Sequence, residues 1–199
     1  MTRPPIRARR IFTALLAAAA IPAGLRAATT FSGASGRPDR APRQANTGRT
    51  GQDTTRLSDA NILDKEIGGD SAEIAIARYV GQQRTSPAVR AYAMMLIDDH
   101  SHSMRETRSL ARRLSITPAP PPGDTTAQET AHVLEHLRTL QGRALDTAFV
   151  QHEIADHQHD IADAHRMEAA ARDPHVKTLI RQSLPVLQKH LDRARQIAT

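Results

Sequence analysis

A chain of 199 residues with a formal charge of +6 and no cysteine has room for one well-filled domain, and it excludes disulfides, thiolate metal ligands and a cysteine-linked lipid anchor. Ten of the 27 basic residues and two of the 21 acidic ones fall in residues 1–56, so residues 57–199 hold 17 against 19 and carry −2. The basic character therefore belongs to an N-terminal segment. With three Phe, two Tyr and no Trp for base stacking, nucleic acid is not an expected partner.

Residues 1–27 read as an export signal. Arg3, Arg7, Arg9 and Arg10 precede an apolar run from Ile11 to Ala23, about half the ~20 residues that span a bilayer, and Leu25-Arg26-Ala27 offers a small-residue exit. Arg9-Arg10-Ile11-Phe12 also fits a twin-arginine signal, so that route and the ordinary Sec route both stay open. The expected location is periplasmic or secreted, with no stable membrane insertion after signal cleavage. Residues 28–56 are rich in Gly, Ser, Thr, Pro and Arg. They bury too little apolar surface to offset the entropy of ordering and read as a disordered tether, leaving 57–199 as the folded domain.

The first long helix is expected from about Ser58, its N-cap, to about Gln83, with Ile62, Leu63, Ile67, Ile74, Ala77 and Val80 on one arc. Glu66, Asp70 and Glu73 fall inside that same arc, which is unusual for a core-facing stripe. Ser86-Pro87 then reads as a cap plus an N1 proline opening a second helix to about Leu114. Its seam steps by four and three through Val89, Ala93, Leu96, His100, Ser103, Thr107, Leu110 and Leu114, so His100 interrupts a buried face. Four prolines between Thr117 and Gly123 impose a stiff connection. Thr126-Ala127-Gln128-Glu129 reads as a capping box for a short helix to about Leu140, ended by Gly142. A third long helix is expected from about Arg143 to Ala171, its face made of Phe149, Val150, Ile154, Ile161, Ala164, Met167 and Ala171. His157 lies near the centre of that face, with Glu153 and Asp160 on the same arc. Asp173-Pro174 repeats the cap-plus-proline start of a fourth helix, to about Ile197, with Val176, Leu179, Ile180, Val186, Leu187, Leu191 and Ala194 facing inward and His190 among them. Pro185 is expected to kink it.

No segment alternates with period two, so the class is all-α. Four long amphipathic helices predict a four-helix bundle, with a short extra helix in the helix 2–3 connection returning the chain as in a ferritin-like crossover. At ~1.5 Å per residue, Glu73, His100, His157 and His190 all lie near mid-bundle and within about a turn of one another. Three imidazoles and a carboxylate form a ligand set for Zn, Mn, Fe or Cu, with Asp99, Glu153 or Asp160 as a further ligand or as an acceptor behind an imidazole. The competing expectation is a metal-free structural or interaction bundle whose buried His and carboxylate groups make a pH-sensitive network. Oxidase chemistry is poorly supported, because none of the three histidines carries the Glu-x-x-His spacing of di-iron bundles. His132 and His136 sit i, i+4 on the short helix, and these with His102, His152, His159, His165 and His175 are expected on solvated faces. Neither a protein partner nor a homo-oligomer is legible in the residues.

Several of these stretches also resemble the family known as domain of unknown function 4142, over about residues 58–197. They are Glu73-Ile74 in the first helix, Ala93 to Ser101 with Met95, Asp99 and His100, Leu140-Gln141-Gly142 followed by Leu145-Asp146, His157 at the matching spacing, and Leu184-Pro185-Val186-Leu187 with His190-Leu191. The resemblance implies a ferritin-like bundle outside the cytoplasm and matches Glu73, Asp99, His100, His157 and His190 to the family's polar motif positions. It implies no activity. Leu145 stands where the family pattern has an aromatic, and Glu66 and Asp70 are additional acids.

Overall fold

The computed structural model describes residues 57–199; the expected signal, 1–27, and tether, 28–56, lie outside the described residues. Five helices follow in order: α1 (Asp59–Gly81), α2 (Pro87–Arg113), α3 (Thr126–Arg138), α4 (Gly142–Ala170) and α5 (Pro174–Ala198). No strand occurs among the described residues, and the fold is an all-α bundle.

The helices begin where the cap residues predict. Ser58 Oγ accepts from the N–H of Asn61, and the Asn61 side chain accepts from the N–H of Ser58. Ser86 accepts from the N–H of Val89 ahead of Pro87, and Asp173 from that of His175 ahead of Pro174. Each such cap stabilises its helix by about 1 kcal/mol. The start of α3 departs from expectation. Its cap residue is Thr125, which makes no side-chain cap bond. The Thr125 hydroxyl donates to Glu129 Oε1 (2.6 Å) and the Thr126 hydroxyl to Asp124 Oδ1 (2.8 Å), so both threonines are engaged with carboxylates and neither forms the expected capping box. Gly142 opens α4 at φ +53, a left-handed conformation that a side chain would strain.

The α1–α2 and α4–α5 pairs form two antiparallel hairpins, and α2 lies against α5. The proline-rich connection is fastened to the start of α1: Ala119 N–H donates to the Ala60 carbonyl (3.2 Å) and Asn61 Nδ2 to the Ala119 carbonyl (2.9 Å). From there α3 runs along α1. It delivers α4 to the α1–α2 turn, where the Ser86 N–H donates to Asp146 Oδ2 (3.0 Å). At the opposite end the Asp59 carboxylate accepts from the N–H groups of Arg172 and Asp173 (2.9 and 3.0 Å). This is the crossover order that the proline-rich connection and the short helix predict.

The core is divided. One apolar cluster near the α1–α2 turn gathers Val80, Val89, Tyr92, Leu96, Leu145 and Phe149; a second, at the other end, gathers Ile62, Leu63, Leu110, Met167, Val176 and Ile180. Leu145, which stands where the resemblance has an aromatic, is buried there. Val186, expected on the inner face of α5, is instead exposed, because it lines a cavity rather than the core. The remaining inward positions hold polar groups: Asp70, Glu73, His100, Thr107, Glu153, His157 and His190 are all buried.

Candidate metal centre

Three long helices each contribute one imidazole to this polar layer: His100 from α2, His157 from α4 and His190 from α5. Their ring centroids are 5.0 Å (His100–His190), 5.1 Å (His157–His190) and 5.9 Å (His100–His157) apart. One ring nitrogen from each lies within 4.8 Å of the others.

The surroundings settle which nitrogen of each ring carries hydrogen. His157 Nδ1 faces the Glu153 carbonyl at 3.0 Å; a carbonyl only accepts, so Nδ1–H donates and Nε2 holds the lone pair. His190 Nε2–H donates to Asp99 Oδ2 (2.9 Å), leaving the lone pair on Nδ1. His100 Nδ1–H donates to Asp70 Oδ1 (2.8 Å), and its Nε2 is buried without a partner. Each imidazole thus has its N–H held from behind and a bare nitrogen remaining. His157 Nε2 and His190 Nδ1 meet at 3.1 Å. Burial, with the neighbouring His190 and His100 rings, pushes His157 down to about 3. Burial lowers His190 to about 4 against the pull of Asp99. Both are neutral near pH 7, the state a metal requires of an imidazole. Partial burial raises Asp99, but hydrogen bonds from Lys189 and His190 outweigh this and hold it below the usual carboxylate range.

Glu73, the fourth residue that the sequence places in the set, is buried in the same layer but groups with other acids. One nitrogen or oxygen from each of Glu73, Glu153 and His157 lies within 4.8 Å of the others, and so do oxygens from Glu73, Asp156 and Asp160. Burial raises Glu73 and Glu153 well above the usual carboxylate range, and Glu153 and Asp156 add to it at Glu73. Asp160 joins the carboxylates, not an imidazole of the triad; burial and Asp156 push it up to about 8. Asp99 stands behind His190 through its carboxylate, and Glu153 behind His157 through its backbone carbonyl.

Two roles are not visible in the sequence. Asp70, which reads there only as an extra acid, is the acceptor for His100. Asp156, one residue before His157, completes the acid group. His152, expected on a solvated face, is half-buried with Nε2 out of contact with solvent. A cavity of about 280 Å³ opens to this layer and is lined by Glu66, Asp70, Glu73, His100, Asp156 and Asp160, among others.

The sequence pattern of one protein family matches residues 44–197. The chain belongs to that family, the domain of unknown function DUF4142. A comparison with curated proteins finds none that matches this DUF4142 chain. Among solved structures it is similar to the crystal structure of a DUF305 fragment from Deinococcus radiodurans, at 17% identity and a TM-score of 0.62, covering 70% of this chain and 94% of that one. It is also similar to CopM in the Cu(II)-bound form, at 16% identity and a TM-score of 0.58, covering 72% and 97%. The Cu(I)-bound form of CopM is similar at 15% identity and a TM-score of 0.58, covering 71% and 95%. At these identities the likeness is one of fold. Among the described residues of the DUF4142 bundle, no helix is long and apolar enough to cross a membrane.

Proposed function

We propose that this protein holds one transition-metal ion on His100 Nε2, His157 Nε2 and His190 Nδ1, and serves outside the cytoplasm in metal storage, buffering or protection from metal stress. The observation that carries this reading is the arrangement of the three N–H groups, each committed to an acceptor behind its ring. Ligating histidines are commonly oriented this way, with the outer N–H on a carboxylate or carbonyl. Two imidazole nitrogens on a tetrahedral ion at ~2.05 Å stand ~3.3 Å apart. His157 Nε2 and His190 Nδ1 at 3.1 Å need to separate only slightly to reach that spacing. Three imidazoles suit Zn, Cu or Fe; Mn, with its preference for oxygen ligands, fits them less well. Copper is the first ion to test, since CopM, a bundle of similar fold, is described in Cu(II)- and Cu(I)-bound forms. None of His100, His157 and His190 has the Glu-x-x-His spacing of di-iron chemistry, and a binding role accounts for the site without a catalytic step.

The test is metal content by plasma mass spectrometry of the protein, exported and purified without a histidine tag, followed by Cu(I), Cu(II) and Zn(II) titration. A His100→Ala/His157→Ala variant, checked for helicity by circular dichroism, is measured beside it. Near-stoichiometric metal in the parent and none in the folded variant is the expected result. A parent that is metal-free and binds none on titration leaves the competing expectation, a buried polar network without metal.

A further inference from the structure

The geometry points to a second cation site, built of oxygen donors alone, in which Glu73, Asp156 and Asp160, with Glu153 beside Glu73, hold a hard divalent ion next to the imidazole triad. Glu73 and Glu153 are 3% and 0% exposed, and neither oxygen of either carboxylate has a hydrogen-bond partner. They meet one another, and Glu73 also meets the oxygens of Asp156 and Asp160. Among the described residues no lysine or arginine forms an ion pair with any of the four; Lys65 pairs with Asp163 instead, and His159 approaches Asp160 only to 3.9 Å. A carboxylate in such a place leaves strong acceptors buried and unsatisfied, which costs free energy unless a proton or a cation lies between them.

The spacing fits a cation. Oxygens on opposite sides of an ion at ~2.2 Å stand ~4.4 Å apart, and adjacent ones closer. The Glu73, Asp156 and Asp160 oxygens span no more than 4.8 Å. Three carboxylates without nitrogen or sulfur select Mn²⁺, Ca²⁺ or Mg²⁺ over copper. His157 Nδ1 lies 3.6 Å from Glu153 Oε2, but its hydrogen is committed to the Glu153 carbonyl. That nitrogen has no lone pair to offer on this side, so the two sites differ in chemistry. The cavity lined by Glu66, Asp156 and Asp160 supplies an approach for the ion and room for the water ligands that such ions retain. This site stands whether or not the triad binds a metal.

The test uses Mn²⁺ as the probe, followed by loss of the free-ion electron paramagnetic resonance signal on titration into chelator-stripped protein. Three proteins are compared: the parent, Asp156→Asn/Asp160→Asn and His100→Ala. Replacing acids that repel one another by amides removes a source of strain, so the first variant is expected to fold, and circular dichroism checks this. The expected result is one Mn²⁺ per chain in the parent, affinity weakened at least tenfold in Asp156→Asn/Asp160→Asn, and affinity within twofold of the parent in His100→Ala. Copper titration of Asp156→Asn/Asp160→Asn separates this proposal from the triad, since copper binding there should be unchanged. Absence of Mn²⁺ binding by the parent overturns the proposal, the acids then sharing protons. Mn²⁺ binding that survives in Asp156→Asn/Asp160→Asn, or that is lost in His100→Ala, overturns it as well, by placing the ion elsewhere or on the imidazoles.

Discussion

His157 Nε2 and His190 Nδ1 face each other 3.1 Å apart, and both present lone pairs. The Glu153 carbonyl takes the hydrogen of one ring and the Asp99 carboxylate that of the other. Turning the His190 tautomer round to satisfy this contact would aim its other lone pair at Asp99. One of the two contacts is therefore repulsive in the neutral pair, and a cation between the rings relieves it. Asp99 controls the balance. Asp99→Ala is expected to lower affinity at the imidazole site by about 10–100-fold, the usual effect of losing an acceptor behind a ligand. Helicity should not change, because the Asp99 side chain is partly exposed. Competition against a chromophoric chelator measures this; unchanged affinity would show that His190 does not bind through Nδ1.

The metal-free protein should be most stable in mild acid. Burial first, then Asp70 and Asp160, push Glu66 up to about 8; burial and Asp156 raise Asp160 equally far. Unfolded, these groups release their protons near 4.5 and 3.8, so between those values and 8 the folded state binds the extra protons. Their contribution is present at low pH and lost as pH rises towards 8. Glu73 and Glu153 act in the same direction. His157 and His190, lowered from 6.5 to about 3 and about 4, act oppositely, their contribution being present above 6.5 and lost as pH falls through that range. Four acids outweigh two imidazoles until the acids are protonated in the unfolded chain too, so the optimum lies near pH ~5. Calorimetric scans in chelator from pH 3 to 9 check the bell shape. A Tm that climbs steadily to pH 8 would refute it.

Tyr92 and Phe149 pack at a centroid distance of 5.9 Å, both almost wholly buried. The Tyr92 hydroxyl has no partner, so Tyr92→Phe removes an unsatisfied polar atom and should leave stability unchanged or raise it by up to ~1 kcal/mol. Phe149→Ala opens a cavity in the same cluster and should cost about 3–5 kcal/mol. Urea unfolding of the two variants should therefore give midpoints that move in opposite directions or, for Tyr92→Phe, not at all.

A Cβ at Gly142 would meet only open space, while the backbone there sits at φ +53, so Gly142→Ala isolates backbone strain from packing. The expected cost is about 1–2 kcal/mol. At about 2–4 °C per kcal/mol for a chain of this size, scanning fluorimetry resolves the shift. An unchanged Tm would mean that the turn relaxes to a right-handed conformation.

Periodicity is enough to find the bundle and to bring His100, His157 and His190 to one level, because each sits in an apolar seam with a regular step. The cap pairs Ser86-Pro87 and Asp173-Pro174 mark helix starts for the same reason: their physics is local. Which acid serves which imidazole is not legible. That choice depends on helix rotation and on a few ångströms of axial offset, and spacing along one helix specifies neither. Asp70 therefore looks like a surplus acid until α2 places His100 against it. Asp156 lies at the edge of the α4 arc, and only the closeness of α1 makes it a neighbour of Glu73.

The polar layer between the two apolar clusters also works as a vernier for helix alignment. Leucine and alanine seams tolerate sliding, since one apolar contact replaces another with little change in energy. Here, a slip of one helical turn, ~5.4 Å, would set His100 or His190 against hydrocarbon and strand Asp70 and Asp99 without the imidazoles they hold. A bundle with leucine at all three histidines would escape that penalty and would lose the feature that singles out one alignment of its four long helices.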